Sequence, residues 1–260
     1  MREIDYILMR YPSFIDIDKN NRYRNNFSKE RALDNYNNLL NILTEENIKF
    51  KFLNTERCIS ELFTRDLGFS LGNIMFICNL RNASRKSETK KLINYIERNR
   101  TNYYIFENNI EGGDIVICGN TVFVGISQRT TEAAVYELRD YVEEKNLKYE
   151  IVPIRFDSEN NLHLDCVFNS IDRKSAVVSD YVYDIDEIKS RIKNLYYISK
   201  ESADNLGPNF VVLDKKRIIA TDIEVTRILR KAGYKVIFCE YDEIVKLGGS
   251  VCCSTLPMRL

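Results

Sequence analysis

The 260-residue chain has one histidine, no surplus charge of either sign and no long apolar run. Its 38 basic and 38 acidic residues cancel, which argues against a surface built for a polyanion. Runs such as "ERNR" and "DKKR" read as solvated faces and turns. No apolar stretch approaches the ~18 residues needed to cross a bilayer. The N-terminal "MREIDYILMRYP" carries acid and base inside its apolar run, unlike a signal peptide. No C-x-x-C pair occurs among the seven cysteines, which argues against a zinc ribbon. They sit instead in apolar contexts such as "MFICNL", "IVICGN" and "VIFCEY", the usage expected of reduced thiols filling the core of a cytoplasmic protein. No Pro-, Gly- or Ser-rich linker divides the chain, so residues 1–260 are expected to form a single domain with ample core. Neither nucleic acid nor membrane is expected as a partner, and a homodimer is left open.

Strand-like and helix-like segments alternate throughout. "NNRYRNNFSKERALDNYNNLLNILTEENI" places apolar residues at helical spacing behind polar cap residues, and the strand-like "KFKFL" follows. "SRKSETKKLINYIERN", "TTEAAVYELRDYVEEKN", "YDIDEIKSRIKNLYYISKES" and "TDIEVTRILRKAGY" repeat the helical pattern, each behind short β-rich runs. Those runs form a weak internal repeat, each reading as strand, turn, strand: "RDLGFSLGNIMFICNL", "EGGDIVICGNTVFVGI", "HLDCVFNSIDRKSAVVS" and "GPNFVVLDKKRIIATD". Their leading polar residues are Asp66, Asp114, Asp165 and Asn209, and a further step of similar size reaches Cys253. Spacings of 44 to 51 residues lie in the range of repeated supersecondary units. Five ββαβ-like units closing into a ring would bring these five residues to one centre. Polar residues also begin strands by chance, so periodicity alone leaves the ring as one of two readings.

Several residue types suit chemistry. His163, in "NLHLDCVFNSID", is the single histidine and has Asp165 two positions on, on the same side of a strand. It is either a satisfied structural group or a proton shuttle near neutral pH. "EGGD" puts Glu111 and Asp114 around two glycines, as a plain turn or as a close backbone approach. "FTRD" sets Asp66 beside Arg65. The terminal "KLGGSVCCSTLPMRL" carries the adjacent thiols Cys252 and Cys253. Cysteine, histidine and glutamate together are the parts of a nucleophile, its proton shuttle and the group that orients the shuttle. Spare aspartates beside them suit a planar cation, because carboxylates hold a guanidinium bidentately.

The runs "IEGGDIVICGNTVFVGISQRTTEAAVYEL", "HLDCVFNSID" and "GGSVCCSTLPMR", with "ELFTRDLGFSLGN" and "ASRKSE", resemble the guanidino-group-modifying (pentein) superfamily. That superfamily comprises arginine deiminases, dimethylarginine dimethylaminohydrolases and amidinotransferases. The resemblance spans about Arg65 to the C-terminus, in family order. It implies an α/β fold, the five-bladed ββαβ propeller with pseudo-fivefold symmetry. By position it makes Cys253 the nucleophile, with Gly248, Gly249, Thr255 and Pro257 fixing the frame and Cys252 standing where a basic neighbour is the rule. Cys252 is the alternative nucleophile in a shifted register. His163 matches the general acid/base and Glu111 the carboxylate that orients it. Asp66 and Asp165 match the carboxylates that grip the guanidinium, while Arg85 and Arg129 match positions that bind the substrate α-carboxylate. Asp114 and Asn209, the remaining leading residues of the repeat, are expected at the substrate site as well.

The implied activity is hydrolysis of a guanidino compound, arginine or a derivative, through a covalent thiouronium. The products are a citrulline-type ureido compound and ammonia or amine, and neither a metal nor an organic cofactor is required. Hydrolysis of dimethylarginine, double hydrolysis to ornithine and amidino transfer use the same residues. A binding module on the same fold would have no need of the full Cys, His, Glu and Asp set. A redox pair made of Cys252 and Cys253 would form only a strained vicinal disulfide.

Overall fold

The computed structural model describes residues 4–54 and 60–258, so Cys58, Arg259 and Leu260 lie outside the described residues. The described residues form an α/β structure with five three-stranded sheets built to one plan. A first strand turns back into an antiparallel second strand, a segment containing a helix follows, and a third strand returns parallel to the second. A parallel return needs such a crossover, whereas an antiparallel pair needs only a tight turn.

One sheet holds Gly68–Leu71, Ile74–Asn79 and Asn102–Asn109, with helix Lys86–Arg98 before its last strand. The next holds Ile115–Cys118, Thr121–Ile126 and Glu150–Arg155 around helix Glu132–Glu144. The third holds Phe168–Ser170, Ser175–Val178 and Asn194–Tyr197. The fourth holds Val211–Val212, Arg217–Ala220 and Lys235–Phe238 around helix Ile223–Lys231. The fifth joins the two ends of the chain. Leu256–Met258 runs antiparallel to Tyr6–Met9, with Tyr6 opposite Met258. Tyr6–Met9 runs parallel to Phe50–Phe52 after helix Lys29–Glu45.

The helices begin where their polar caps stand. Ser28, Thr131 and Asp222 each accept a hydrogen bond from the backbone N–H three residues on, an arrangement worth about 1 kcal/mol apiece. Their apolar stripes pack inward, as Leu39 and Leu43 or Leu138 and Val142 do. One expectation fails in detail. "YDIDEIKSRIKNLYYISKES" is not one helix but helix Ile185–Lys189, strand Asn194–Tyr197 and helix Lys200–Asp204. The aromatic run Leu195–Tyr197 pairs with Ala176–Val178, and that pairing outweighs a helical spacing only a few residues long.

The repeat places its leading residues consistently. Short 3₁₀ turns at Thr64–Leu67, Gly112–Asp114 and Leu164–Cys166 precede the first strands of three sheets and carry Asp66, Asp114 and Asp165. Asn209 and Cys253 come just before the first strands of the other two. First-strand residues from all five sheets, among them Phe69, Ile117, Asn169, Val211 and Pro257, line one small cavity of about 50 Å³. The five strand entries therefore gather near a common centre.

Candidate active site

The centre is assembled around His163, which is buried. Its Nε2 lies 2.8 Å from Glu111 Oε2. The other oxygen of Glu111 accepts from Arg129 Nη1 at 3.3 Å and from the backbone N–H of Arg81 at 3.3 Å. The glycines of "EGGD" make this packing possible. A Cβ on Gly113 would lie 2.7 Å from the His163 ring, and one on Gly112 would lie 2.1 Å from the Arg65 carbonyl oxygen. Burial opposes charge on both partners, but their attraction wins. Glu111 is held down to about 2, chiefly by the His163 hydrogen bond and charge against the cost of burial. His163 is pushed up to about 10, because Asp66, Glu111 and Asp114 outweigh its desolvation. At neutral pH the ring is an imidazolium.

From His163 a ladder of alternating charge runs through the protein. His163 Nδ1 faces Asp66 Oδ1 at 3.8 Å, and Asp66 Oδ2 accepts from Arg85 Nη1 at 2.6 Å. Arg85 also donates to both carboxylate oxygens of Glu88, at 2.8 and 3.2 Å, and to the Phe63 carbonyl at 3.2 Å. Arg10 closes the ladder on Glu88 through the side chain at 3.1 Å and the backbone carbonyl at 2.8 Å. Arg85 and Glu88 are buried, so removing one partner would leave an uncompensated charge.

The third group surrounds the terminal cysteines. Asn209 Oδ1 accepts the Cys253 N–H at 3.1 Å, and the Arg65 N–H donates to the Cys253 carbonyl at 3.0 Å. The Cys253 peptide is thereby clamped on both sides. The Cys166 thiol donates to Asp165 Oδ1 at 3.7 Å, and Cys253 is buried against Cys166. That contact, burial and the charges of Asp165 and Asp66 push its thiol well above the usual range. The Cys252 thiol is instead 2.8 Å from Arg65 Nη2. Burial raises Asp165 to about 6, although His163 and Arg65 pull the other way. Its Oδ2, like Asp66 Oδ1, has no hydrogen-bond partner.

A family model described as N,N dimethylarginine dimethylhydrolase, eukaryotic, matches residues 15–260. The chain belongs to this family. With it comes membership of the pentein guanidino-modifying superfamily. The protein YkgA of Bacillus subtilis is 31% identical over 239 residues, covering 90% of this chain and 82% of its own. The N-terminal domain of ArgZ, a cyanobacterial arginine dihydrolase solved with bound substrate, superposes with a TM-score of 0.86 at 22% identity and 97% coverage of each chain. The dimethylarginine dimethylaminohydrolase of Pseudomonas aeruginosa, complexed with citrulline, gives 0.85 at 18% identity, covering 98% of this chain and all of its own.

Within this family member, the fold brings together His163, Glu111, Asp66, Asp165, Asn209 and Cys253. Arg129 sits at the edge, a quarter exposed and tied to Glu111. Arg85 is not at the surface but inside the ladder, with its guanidinium fully engaged. Asp114 has both oxygens taken, Oδ1 by the Leu164 N–H at 3.0 Å and Oδ2 by Ser127 and Thr130 hydroxyls at 2.7 and 2.6 Å. Those contacts make it a brace between sheets. Asn209 likewise braces the Cys253 peptide. Sequence reasoning passed over Arg10, Glu88 and Cys166, and took Arg65 only as a neighbour of Asp66. Glu88 alone left a signal, three residues past Arg85 at a helix start, where an i,i+3 pair forms. Asp66, Glu111 and His163 also bring ligand atoms within 4.8 Å of one another, a grouping that a metal could use only by displacing the proton His163 holds between the two carboxylates.

Proposed function

We propose that this chain is a cysteine-dependent hydrolase that converts the guanidino group of arginine, or of an arginine-like compound, into a ureido group. It works as a single domain folded as a five-bladed ββαβ propeller. One observation carries the reading. Two buried carboxylates, Asp66 and Asp165, each retain an oxygen without a hydrogen-bond partner, beside a histidine–glutamate pair and a clamped cysteine. Leaving such oxygens buried and unpaired costs about 1–3 kcal/mol each, more when charged. A guanidinium offers N–H donors for the two oxygens that lack one.

The chemistry follows from that placement. The guanidinium, held by Asp66 and Asp165, presents its central carbon to Cys253. Its charge favours the thiolate, which otherwise forms poorly among carboxylates, and the thiol proton passes to solvent. Sulfur adds to the carbon, and the C–N bond breaks as His163 delivers a proton to the departing nitrogen. Glu111 keeps the ring in position. A cysteine-bound thiouronium remains. His163, now neutral, takes a proton from water as the water attacks. The C–S bond then breaks as the hydroxyl proton of the adduct passes to sulfur, and the ureido product leaves with the thiol restored. Arginine and water thus give citrulline and ammonia.

The two unpaired oxygens favour an unsubstituted guanidinium, since an N-methyl group removes a donor and adds bulk. Membership of the dimethylarginine family supports methylated arginine as the second reading, and the likeness to an arginine dihydrolase supports continuation to ornithine. Incubation with arginine, methylarginines, agmatine and guanidinoacetate, with assay of ureido product, ornithine and ammonia, separates these outcomes. Cys253→Ala and His163→Ala are expected to reduce turnover to background. Near-normal turnover by Cys253→Ala, or no product from any of the compounds, would overturn the proposal.

A further inference from the structure

Cys253 must become a thiolate among carboxylates. Asp165 and Asp66 both repel its negative charge, and the neighbouring Cys166 also opposes its ionisation. The cation aimed at the tandem thiols from the strand-entry turn Thr64–Leu67 is Arg65. Its Nη2 is 2.8 Å from Cys252 Sγ, and against the cost of burial its charged form is favoured by negative charge on Cys252, Asp165 or Cys253. Its backbone N–H also donates to the Cys253 carbonyl at 3.0 Å, which ties the Arg65 and Cys253 peptides together. Arg65 Nε is a buried donor without a hydrogen-bond partner, a group able to answer a charge that appears only during reaction.

From this geometry we infer that Arg65 is a positioning residue. It locks the Cys252 side chain in place and supplies, from another sheet's entry turn, the positive charge that favours ionisation of Cys253. The inference rests on Cys253 being the nucleophile. Arg65 does not touch substrate in this account. It acts through the thiol pair, and position 252 and position 65 become alternative places for one cation.

The test measures iodoacetamide alkylation against pH, with peptide mass spectrometry identifying the modified cysteine. It compares the parent protein with Arg65→Gln, Arg65→Lys and the exchange variant Arg65→Gln/Cys252→Arg, each checked for a cooperative thermal melt. Arg65→Gln is expected to slow Cys253 alkylation about tenfold at neutral pH and to move the midpoint of its pH profile upward by about one pH unit. Arg65→Lys should stay near the parent, and the exchange variant should recover most of the loss. A merely structural role would change the melting temperature and leave the midpoint where it was. An unchanged midpoint in Arg65→Gln, or no recovery in the exchange variant, overturns the inference. Should Arg65→Gln fail to fold, an Arg65→Lys midpoint within error of the parent and a folded, alkylation-competent exchange variant support it, and a displaced midpoint in both overturns it. If arginine protects Cys252 from alkylation and leaves Cys253 unprotected, the assignment of the nucleophile falls, whatever Arg65 does.

Discussion

Asp165 gives the sharpest pH test of the proposed guanidinium site. Burial raises its carboxyl to about 6, against about 3.9 in an unfolded chain. The ligand-free protein therefore favours the protonated form up to about pH 6, while a guanidinium is held by the ionised form. Binding below that point must expel a proton. Asp165 is roughly nine-tenths protonated at about pH 5 and roughly one-tenth at about pH 7, so arginine affinity should fall about tenfold between them. The sign for folding is the opposite. A carboxyl raised in the native state makes the fold more stable as pH falls from about 6 towards 4, by about 3 kcal/mol from this group. Acidification should thus weaken binding in a range where Asp165 itself strengthens the fold. Calorimetric titration of arginine into Cys253→Ser protein, which should bind without turnover, measures the affinity and the proton release. Asp165→Asn should remove the pH limb and lower the plateau affinity by about ten- to a hundredfold, the loss of one charge-assisted hydrogen bond. Asp114 is also raised to about 6, but its oxygens are taken by its own chain. A limb that survives unchanged in Asp165→Asn would refute the reasoning.

Gly113→Ala should leave the protein folded but displace the His163 ring, because the new methyl would stand 2.7 Å from it. A kcat loss of about tenfold to a hundredfold is expected from such a misplacement, and unchanged steady-state kinetics would count against the proposed role of His163. Arg85→Met removes the cation shared by Asp66 and Glu88, leaving Glu88 to Arg10 and Asp66 to His163, at a cost of about 3–5 kcal/mol. That corresponds to roughly a 6–20 °C fall in Tm. A melting curve within about 2 °C of the parent would show that the ladder is dispensable.

Much of the architecture was legible because the strand-turn-strand pattern recurs with a polar residue at each entry. Local alternation and cap residues were enough to place the helices at Lys29–Glu45, Glu132–Glu144 and Ile223–Lys231. What the sequence could not carry was closure of the fifth sheet from both ends. The pairing of Tyr6 with Met258 joins residues with no local signal of each other. The charge ladder was hidden for the same reason. Arg10 and Glu88 are 78 positions apart, and each looks like an ordinary surface residue until the fold buries it. Arg65 was read as a neighbour of Asp66 along the chain, while its guanidinium points at a thiol contributed by the other end.

Those long-range contacts also bear on how the proposed reaction would start. Without substrate, the centre is balanced: His163 as imidazolium is stabilised by Asp66, Glu111 and Asp114, and Cys253 is kept as a thiol by Cys166, Asp165 and Asp66. An entering guanidinium takes over Asp66 and Asp165 and adds a positive charge. Both changes act in one direction. The imidazolium loses part of what stabilises its proton and becomes a better acid, while the thiol gains a cation and loses the repulsion that opposed its ionisation. Nucleophile and acid are then armed by one event, the arrival of the group they act on. A neutral ureido compound brings no charge to the carboxylates, so on this reading the product leaves the centre as it was before binding, with Cys253 again a thiol and His163 again charged.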